Sequence, residues 1–550
     1  MKKVILIVIL TLFYNIINAQ LLELNKLSKG ELIQELYLRD NNKDDLFGYL
    51  YIFKIDQLDK KEYLYDYILL DKNLNKVSAG NFTEKLGNFS KKIFVNAIHR
   101  NGLISFNINE IATGGATVRN RYRLLNIKDN KLSDAFYLSK DLTKEYNQET
   151  KNVRESITFY YEPNSFGYHL YSPLETNQEK KLLKLSSKTI EERLELANVN
   201  VNRLNFANEN LDFQWSYEFN KSANENQYEK IYLSNNPNLT NTIIGEKYFK
   251  GKNNETKLKN GQLFNSFLIF NKDSGQLISE ITPYGQHTVN GIEAKEITNI
   301  NVFIDSEKIT FLNRIMSNKV KSFNLDEKKI IGFSKSQYSI STGNEINRIF
   351  FTWDQLAEYL TINEFGYIQE KDNPNCYLYL HDVILNSNGN LIFITEQYKT
   401  LAGDSIGFAI PGGVKIGDMI IFELDKNMKL TYYKRIEKEL QTIRNGVKMQ
   451  GILADYLNAF DYTGYQNAGN NKYYFFYYNR QIPENGGKKQ WFLGIVTYDN
   501  GKFTESKIQL KTSRDDSKLN VIPAKNGYVL VTEIFKDKNK STEIRLEKIN

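Results

Sequence analysis

Apolar residues in this chain come in short unbroken runs, separated by clusters of Asn, Asp and Gly. Residues 391–394 (Leu-Ile-Phe-Ile) and 473–478 (Tyr-Tyr-Phe-Phe-Tyr-Tyr) are the clearest. Runs this short, rich in β-branched and aromatic residues and closed by turn residues, predict strands. Because they do not alternate with polar residues, the strands are expected to be covered on both faces. Residues 542–549 (Thr-Glu-Ile-Arg-Leu-Glu-Lys-Ile) do alternate, which predicts an outer strand with one wet side. The punctuation has its own mechanism, since Asn, Asp and Gly tolerate the positive φ of tight hairpin turns.

The runs recur as a unit. Asn388-Gly389 leads into residues 391–398, and Asn526-Gly527 leads into residues 528–535. Residues 420–424 turn at Asp425 and residues 495–498 turn at Asp499. Residues 103–110 follow Asn101-Gly102 and precede a turn at Asp129; weaker copies turn at Asp71, Asp273 and Asp326. These markers fall roughly 50 to 70 residues apart, or about twice that, which is the size of a four-stranded propeller blade. The expected fold is all-β: a β-propeller of about seven or eight four-stranded antiparallel blades, forming one domain over residues 20–550. Three stretches carry helical spacing and predict short excursions: 187–198, 353–360 and 435–444. Residues 223–260, rich in Asn, Lys and Glu, read as long surface loops.

Composition agrees with the pattern. Of 550 residues 41% are apolar and 13% aromatic, with 36 Tyr and 33 Phe against 8 Pro and a single Cys. Disordered, collagen-like and disulfide-scaffold classes are excluded. The net charge of +7 is spread over the chain with acids interleaved, so no nucleic-acid footprint is expected. Lys2-Lys3 followed by an apolar stretch to Ile17 and the small residue Ala19 reads as a secretory signal peptide over residues 1–19. The expected location is therefore exported (periplasm, outer cell surface or medium), with no transmembrane segment after cleavage. A membrane β-barrel would need a lipid-facing apolar band, and charged residues are too frequent on both strand phases for one.

Candidate chemistry is sparse. Gly403-Asp404-Ser405-Ile406-Gly407 matches a nucleophile elbow, but no His follows His381 to act as its base, so no catalytic residue is assigned. His99, His169, His287 and His381 lack metal-ligand spacing, and no metal or other cofactor is expected. Asp425-Lys426-Asn427 and residues 271–275 lack the twelfth-position Glu of a calcium loop and read as hairpin turns. Trp215, Trp353 and Trp491 could stack on sugars, although buried packing is commoner. Glu110, Glu396 and Glu533 are the candidates for ligand binding, because they end apolar strands at one recurring place. Asn479 takes that place in residues 473–479. Converging acids would suit a glycosidase. The plainer expectation is that each Glu marks a wet strand end and keeps an apolar run soluble.

The Gly turn, apolar strand and closing Glu-x-Tyr, here Glu396-Gln397-Tyr398, resemble the repeats of secreted bacterial β-propeller-like proteins of unknown function. The resemblance is strongest over residues 377–550 and implies a fold and an exported location without carrying catalytic residues across. The expected function is non-enzymatic: an exported binding or scaffold protein that takes a protein or glycan partner on loops at one rim. The alternative is a carbohydrate-active propeller enzyme built on the strand-end carboxylates.

Overall fold

The computed structural model describes residues 22–39, 46–87, 90–100, 102–112, 117–135, 153–155, 158–160, 167–176, 201–208, 213–220, 228–234, 242–250, 265–271, 273–317, 330–369, 376–401, 413–444, 454, 459–481, 490–512, 517–535 and 542–549. The architecture is all-β and of the propeller class. Among the described residues there are eight antiparallel sheets, built almost entirely from strands consecutive in the chain. The chain forms two compact units, residues 1–136 with 400–419 and 434–550, and residues 137–399 with 420–433.

The first unit holds four four-stranded sheets. Sheet A is Glu31–Arg39, Leu46–Asp59, Glu62–Asp71 and Lys76–Lys85; sheet B is Ser90–Arg100, Leu103–Ala112, Thr117–Asn126 and Lys131–Leu132. Sheet G is Tyr462–Gly469, Lys472–Gln481, Gln490–Asp499 and Lys502–Leu510. Sheet H has three strands from the C-terminal end, Lys518–Pro523, Tyr528–Ile534 and Thr542–Lys548. Its fourth strand is Leu22–Glu23, whose residues pair with Ile544 and Glu543. The alternating segment at 542–548 is thus the third strand of its sheet and not the outermost one. Its Arg545 is buried against Glu533.

The second unit contains sheet C (Val153–Glu155, Thr158–Tyr160, Gly167–Thr176, Val201–Asn208, Phe213–Asn220) and sheet D (Tyr228–Ser234, Thr242–Lys250, Asn265–Asn271, Leu277–Ile281). Sheet E follows (Gln286–Val289, Ile292–Ile304, Lys308–Ser317, Ile330–Ser339, Glu345–Thr352). Sheet F has the strands Tyr367–Ile368, Cys376–Leu385, Leu391–Leu401, Gly413–Leu424, Leu430–Ile436 and Gln441–Arg444, of which residues up to 399 and 420–433 belong to the second unit and the others to the first.

Unbroken apolar runs are buried on both faces, as their pattern predicts: every residue from Leu391 to Ile394 and from Tyr473 to Tyr477 is buried. Rings fill the space between sheets. Phe393 stacks on Phe422 at 4.9 Å and 7°, with Phe333 and Phe351 completing a four-ring core.

The hairpin markers do what their chemistry allows. Asp71 Oδ1 accepts the N–H of Asn73 (2.7 Å) and Asn75 (2.9 Å); Asp425 Oδ1 accepts those of Asn427 (2.8 Å) and Lys429 (2.9 Å). In both turns the next residue takes a left-handed conformation, Leu74 at φ 67 and Met428 at φ 60. A long side chain is rare there. Each is held because it is buried, at 2% and 0% exposure, in the hydrophobic core of its own unit.

Three expectations need revision. Residues 435–444 are not helical: they end the strand Leu430–Ile436 and form Gln441–Arg444, which pairs with Gly413–Leu424. The segment is mostly charged, and a side chain such as Arg435, bound to Asp418 at 2.7 Å, finds its partner across the sheet rather than along a helix. Residues 223–260 include the two strands Tyr228–Ser234 and Thr242–Lys250, hidden in the sequence by the Asn and Lys around them. Of residues 353–360 only Trp353–Leu356 is helical, as one 3-10 turn. Residues 187–198 lie outside the described residues.

Close packing also sets a glycine. Tyr477 lies across Gly494 on the neighbouring strand, and a Cβ there would come within 2.0 Å of the ring. Tyr477 is fully buried, with its hydroxyl donating to Glu505 at 2.8 Å, so it cannot yield. Gly494→Ala is expected to cost about 1–3 kcal/mol, read as a lowered midpoint in urea unfolding.

Candidate functional site

The recurring strand-end position is a buried, charge-balanced site. Glu110, Glu396 and Glu533 are each 0% exposed, so the expectation that they mark wet strand ends does not hold. Each meets a basic side chain from its own sheet. Arg121 Nη2 lies 3.3 Å from Glu110, His381 Nε2 lies 3.0 Å from Glu396, and Arg545 Nη1 lies 3.4 Å from Glu533.

The geometry repeats. Glu110 is paired across the ladder with Arg119, Glu396 with Tyr379 and Glu533 with Glu543; in every case the basic residue is two places beyond the directly opposite position. Residues offset by two share a face, and a long side chain spans the diagonal. The interaction extends to the segment entering the sheet in one case, where Glu110 Oε1 accepts the Gly87 N–H at 2.6 Å.

Where the position holds Asn, the carboxylate comes from an earlier residue. Asn479, 0% exposed, donates to Asp461 at 3.4 Å, and Asp461 is neutralised by Lys438 Nζ at 2.9 Å. Asn313, also 0% exposed, lies 3.5 Å from Glu296, which is bonded to Arg348 and Ser334 and accepts the Gly285 N–H at 2.8 Å. Burying a charge is expensive unless it is paired and hydrogen-bonded. These acids meet that condition, and their role is to hold strands and linkers together.

Glu296 belongs to a larger cluster. Arg348 also binds Glu345 (2.6 Å) and reaches His287 Nε2 (3.0 Å) and Tyr338 Oη. The neighbouring Arg348 holds the Glu345 carboxyl below the usual range, while burial raises the Tyr338 phenol. Of the other sequence candidates, Trp215 and Trp353 are buried in their cores at 6% and 5% exposure, and Trp491 is partly buried against Tyr478. Ser405 lies outside the described residues.

A different carboxyl stands apart. Glu35, on the edge strand Glu31–Arg39 of sheet A, is half-buried and makes no ion pair among the described residues. Its oxygens accept from Tyr51 Oη at 3.0 Å and from Thr532 Oγ1 at 3.1 and 3.3 Å, and the Asn520 side chain adds a further hydrogen bond.

The arrangement follows from register. Glu35 is opposite Tyr51 and Tyr37 is opposite Tyr49, so all four side chains share one face of sheet A. Asn520 and Thr532, themselves a cross-strand pair, meet that face from sheet H. Tyr49 is fully buried, packs edge-on against Tyr37 at 6.1 Å, and its hydroxyl has no hydrogen-bond partner among the described residues. Tyr37 is 36% exposed and forms the open side together with Glu35 and the half-buried Asn520. Burial raises the Glu35 carboxyl above its ordinary range, with the three hydrogen bonds opposing that shift. The Tyr49 and Tyr51 phenols are raised by the same burial and by the nearby carboxylate.

Comparison with known proteins adds little chemistry. Residues 321–550 match a family described as a family of unknown function, DUF6770. No functionally curated protein matches the chain. Among solved structures, similarity extends to the β-propeller domain of the Trilobed protease from Pyrococcus furiosus, at 9% identity, covering 84% of this chain and 97% of that one with a TM-score of 0.31. A polysaccharide lyase of the ulvan lyase family PL25, solved with bound -[GlcA(1-4)Rha3S]-, is 9% identical, covering 84% of this chain and 94% of its own with a TM-score of 0.35. The acylaminoacyl peptidase of Pyrococcus horikoshii is 8% identical, covering 92% of this chain and 58% of its own, with a TM-score of 0.30.

Proposed function

We propose that the protein is an exported, non-enzymatic binding protein of the propeller class, and that it takes its protein or glycan partner at the Glu35–tyrosine face of sheet A. One observation carries this reading: Glu35 is a desolvated carboxyl without a cation, next to an exposed aromatic ring. A carboxyl raised by burial, against the pull of its hydrogen-bond donors, at an accessible place is a mark of a functional group. The Lys2-Lys3 and apolar N-terminal pattern supports export, which fractionation of the producing cells tests. The rival carbohydrate-active reading rests on Glu110, Glu396 and Glu533, whose oxygens face the buried side chains of Arg121, His381 and Arg545. Hydrolysis of a glycan panel that is abolished by Glu396→Gln would restore it.

The site carries a stability signature. In the folded chain the Glu35 proton is held more tightly than in the unfolded chain, so folding is disfavoured once pH rises above the unfolded carboxyl value. Glu35→Gln removes that penalty. The variant is expected to melt higher than the parent near pH 8 and equally at pH 4, by calorimetry at both pH values. A group retained at a cost to stability points to function. Equal melting at both pH values would remove this support. A ligand screen by thermal shift on the full chain tests the binding itself, with Glu35→Gln and Tyr37→Ala expected to abolish any hit.

A further inference from the structure

Resting on the Glu35 site just proposed, we infer that its ligand presents a primary alkylammonium group, whose positive charge completes the pairing that Glu35 lacks and whose N–H donors reach the Tyr49 hydroxyl. The first support is a comparison with the buried acids. Glu84, Glu110, Glu296, Glu396, Asp461 and Glu533 are each buried and each lies against an Arg, His or Lys, while Glu423 accepts from the Asn386 and Asn390 amides. Glu35 has only hydroxyl and amide donors around it. A cation supplied from outside would give it what those six find among the protein's own side chains.

Tyr49 is the second and independent support. Its ring is 0% exposed and its hydroxyl is unpartnered, on the face it shares with Glu35 and Tyr37. A buried hydroxyl without a partner costs free energy until a ligand satisfies it. It calls for a ligand with N–H or O–H groups, which a quaternary ammonium lacks. The third support is aromatic. Tyr37, Tyr49 and Tyr51 put three phenol rings around one carboxylate, and ring faces attract cations. No Lys or Arg belongs to this cluster, so an anionic ligand would meet a negative charge with nothing to offset it. The groups that face Glu35 are Tyr51 and Tyr37 from sheet A and Asn520 and Thr532 from sheet H, with Asp71 acting on Tyr49. None of them is positive.

The test is isothermal titration of the full chain at pH 8 with n-butylammonium chloride, with the N-acetylated, C-amidated tripeptide Gly-Lys-Gly, with tetramethylammonium chloride and with n-butanol. Saturable binding of the butylammonium ion or the peptide is expected, weakened at least about tenfold in Glu35→Gln and at least about threefold in Tyr49→Phe. Tighter binding of the peptide would assign the ammonium to a lysine side chain, and tighter binding of the free amine to a small molecule. The inference is overturned if n-butanol binds as well as its charged counterpart, if tetramethylammonium binds as well as butylammonium, or if no ammonium probe binds. A neutral oligosaccharide that binds in a Tyr37-dependent way while the ammonium probes fail would overturn this inference and leave the proposed binding function standing. Failure of every ligand in the screen would remove both.

Discussion

Arg121→Met is expected to destabilise the first unit by about 3–5 kcal/mol, the usual cost of leaving a buried carboxylate without its partner. Arg121 is 5% exposed and bridges two acids, Glu84 at 2.9 Å and Glu110 at 3.3 Å. Glu84 keeps Arg123 at 3.0 Å after the change, whereas Glu110, at 0% exposure, loses its pairing with Arg121. Its carboxylate would then have to take up a proton or admit water. Because the loss comes from an unpaired charge and not from missing volume, Arg121→Met combined with Glu110→Gln is expected to recover a large part of it. Urea unfolding of the parent, the single variant and the double variant decides this. Were the single change to cost under about 1 kcal/mol, the acid would not be a structural pair, and its candidacy as a ligand-binding group would reopen.

The second large effect is in the other unit. Phe393→Ala is expected to cost about 3–5 kcal/mol, the range for removing a buried ring. Phe393 is 0% exposed and stacks on Phe422, with Phe333 at 5.1 Å on its other side. Neighbours on three strands cannot collapse into the gap without leaving their ladders, so much of the cavity would persist. Phe393→Leu keeps most of the volume and is expected to lose under about half as much. Differential scanning calorimetry of the three proteins gives the comparison, and equal melting would show that the four-ring core repacks freely.

Much of the fold is legible in the sequence, because its signals are local. Asp71, Asp425 and Asn388-Gly389 specify turns through their own side chains and backbone freedom, and unbroken runs such as 473–478 report burial on both faces. The recurring Glu110, Glu396 and Glu533 are visible for the same reason. Their environment is not visible, since it depends on which residue stands two places beyond the opposite position on another strand, and register is set by the whole sheet. His381 is next to Asp382 in sequence, yet its partner is Glu396, across a bulge between Leu380 and Asp382.

Glu35 is harder still to find. The strand Glu31–Arg39 carries no motif, and what makes its carboxyl unusual comes from Thr532 and Asn520, almost 500 residues later. No spacing within a window of sequence could reveal that. The strands at 228–234 and 242–250 were obscured by composition instead, since Asn and Lys at their margins are loop-forming residues whatever lies between them.

The pairing of Leu22 with Ile544 has a consequence in time. A ribosome adding about 5–20 residues per second needs roughly half a minute or more to reach the strand that Leu22–Glu23 must join. Until then the first strand made has no partner, and sheet H cannot be finished by any partial product. Sheets A and B can assemble as they emerge, whereas sheet H is complete only once residues 542–548 have been made.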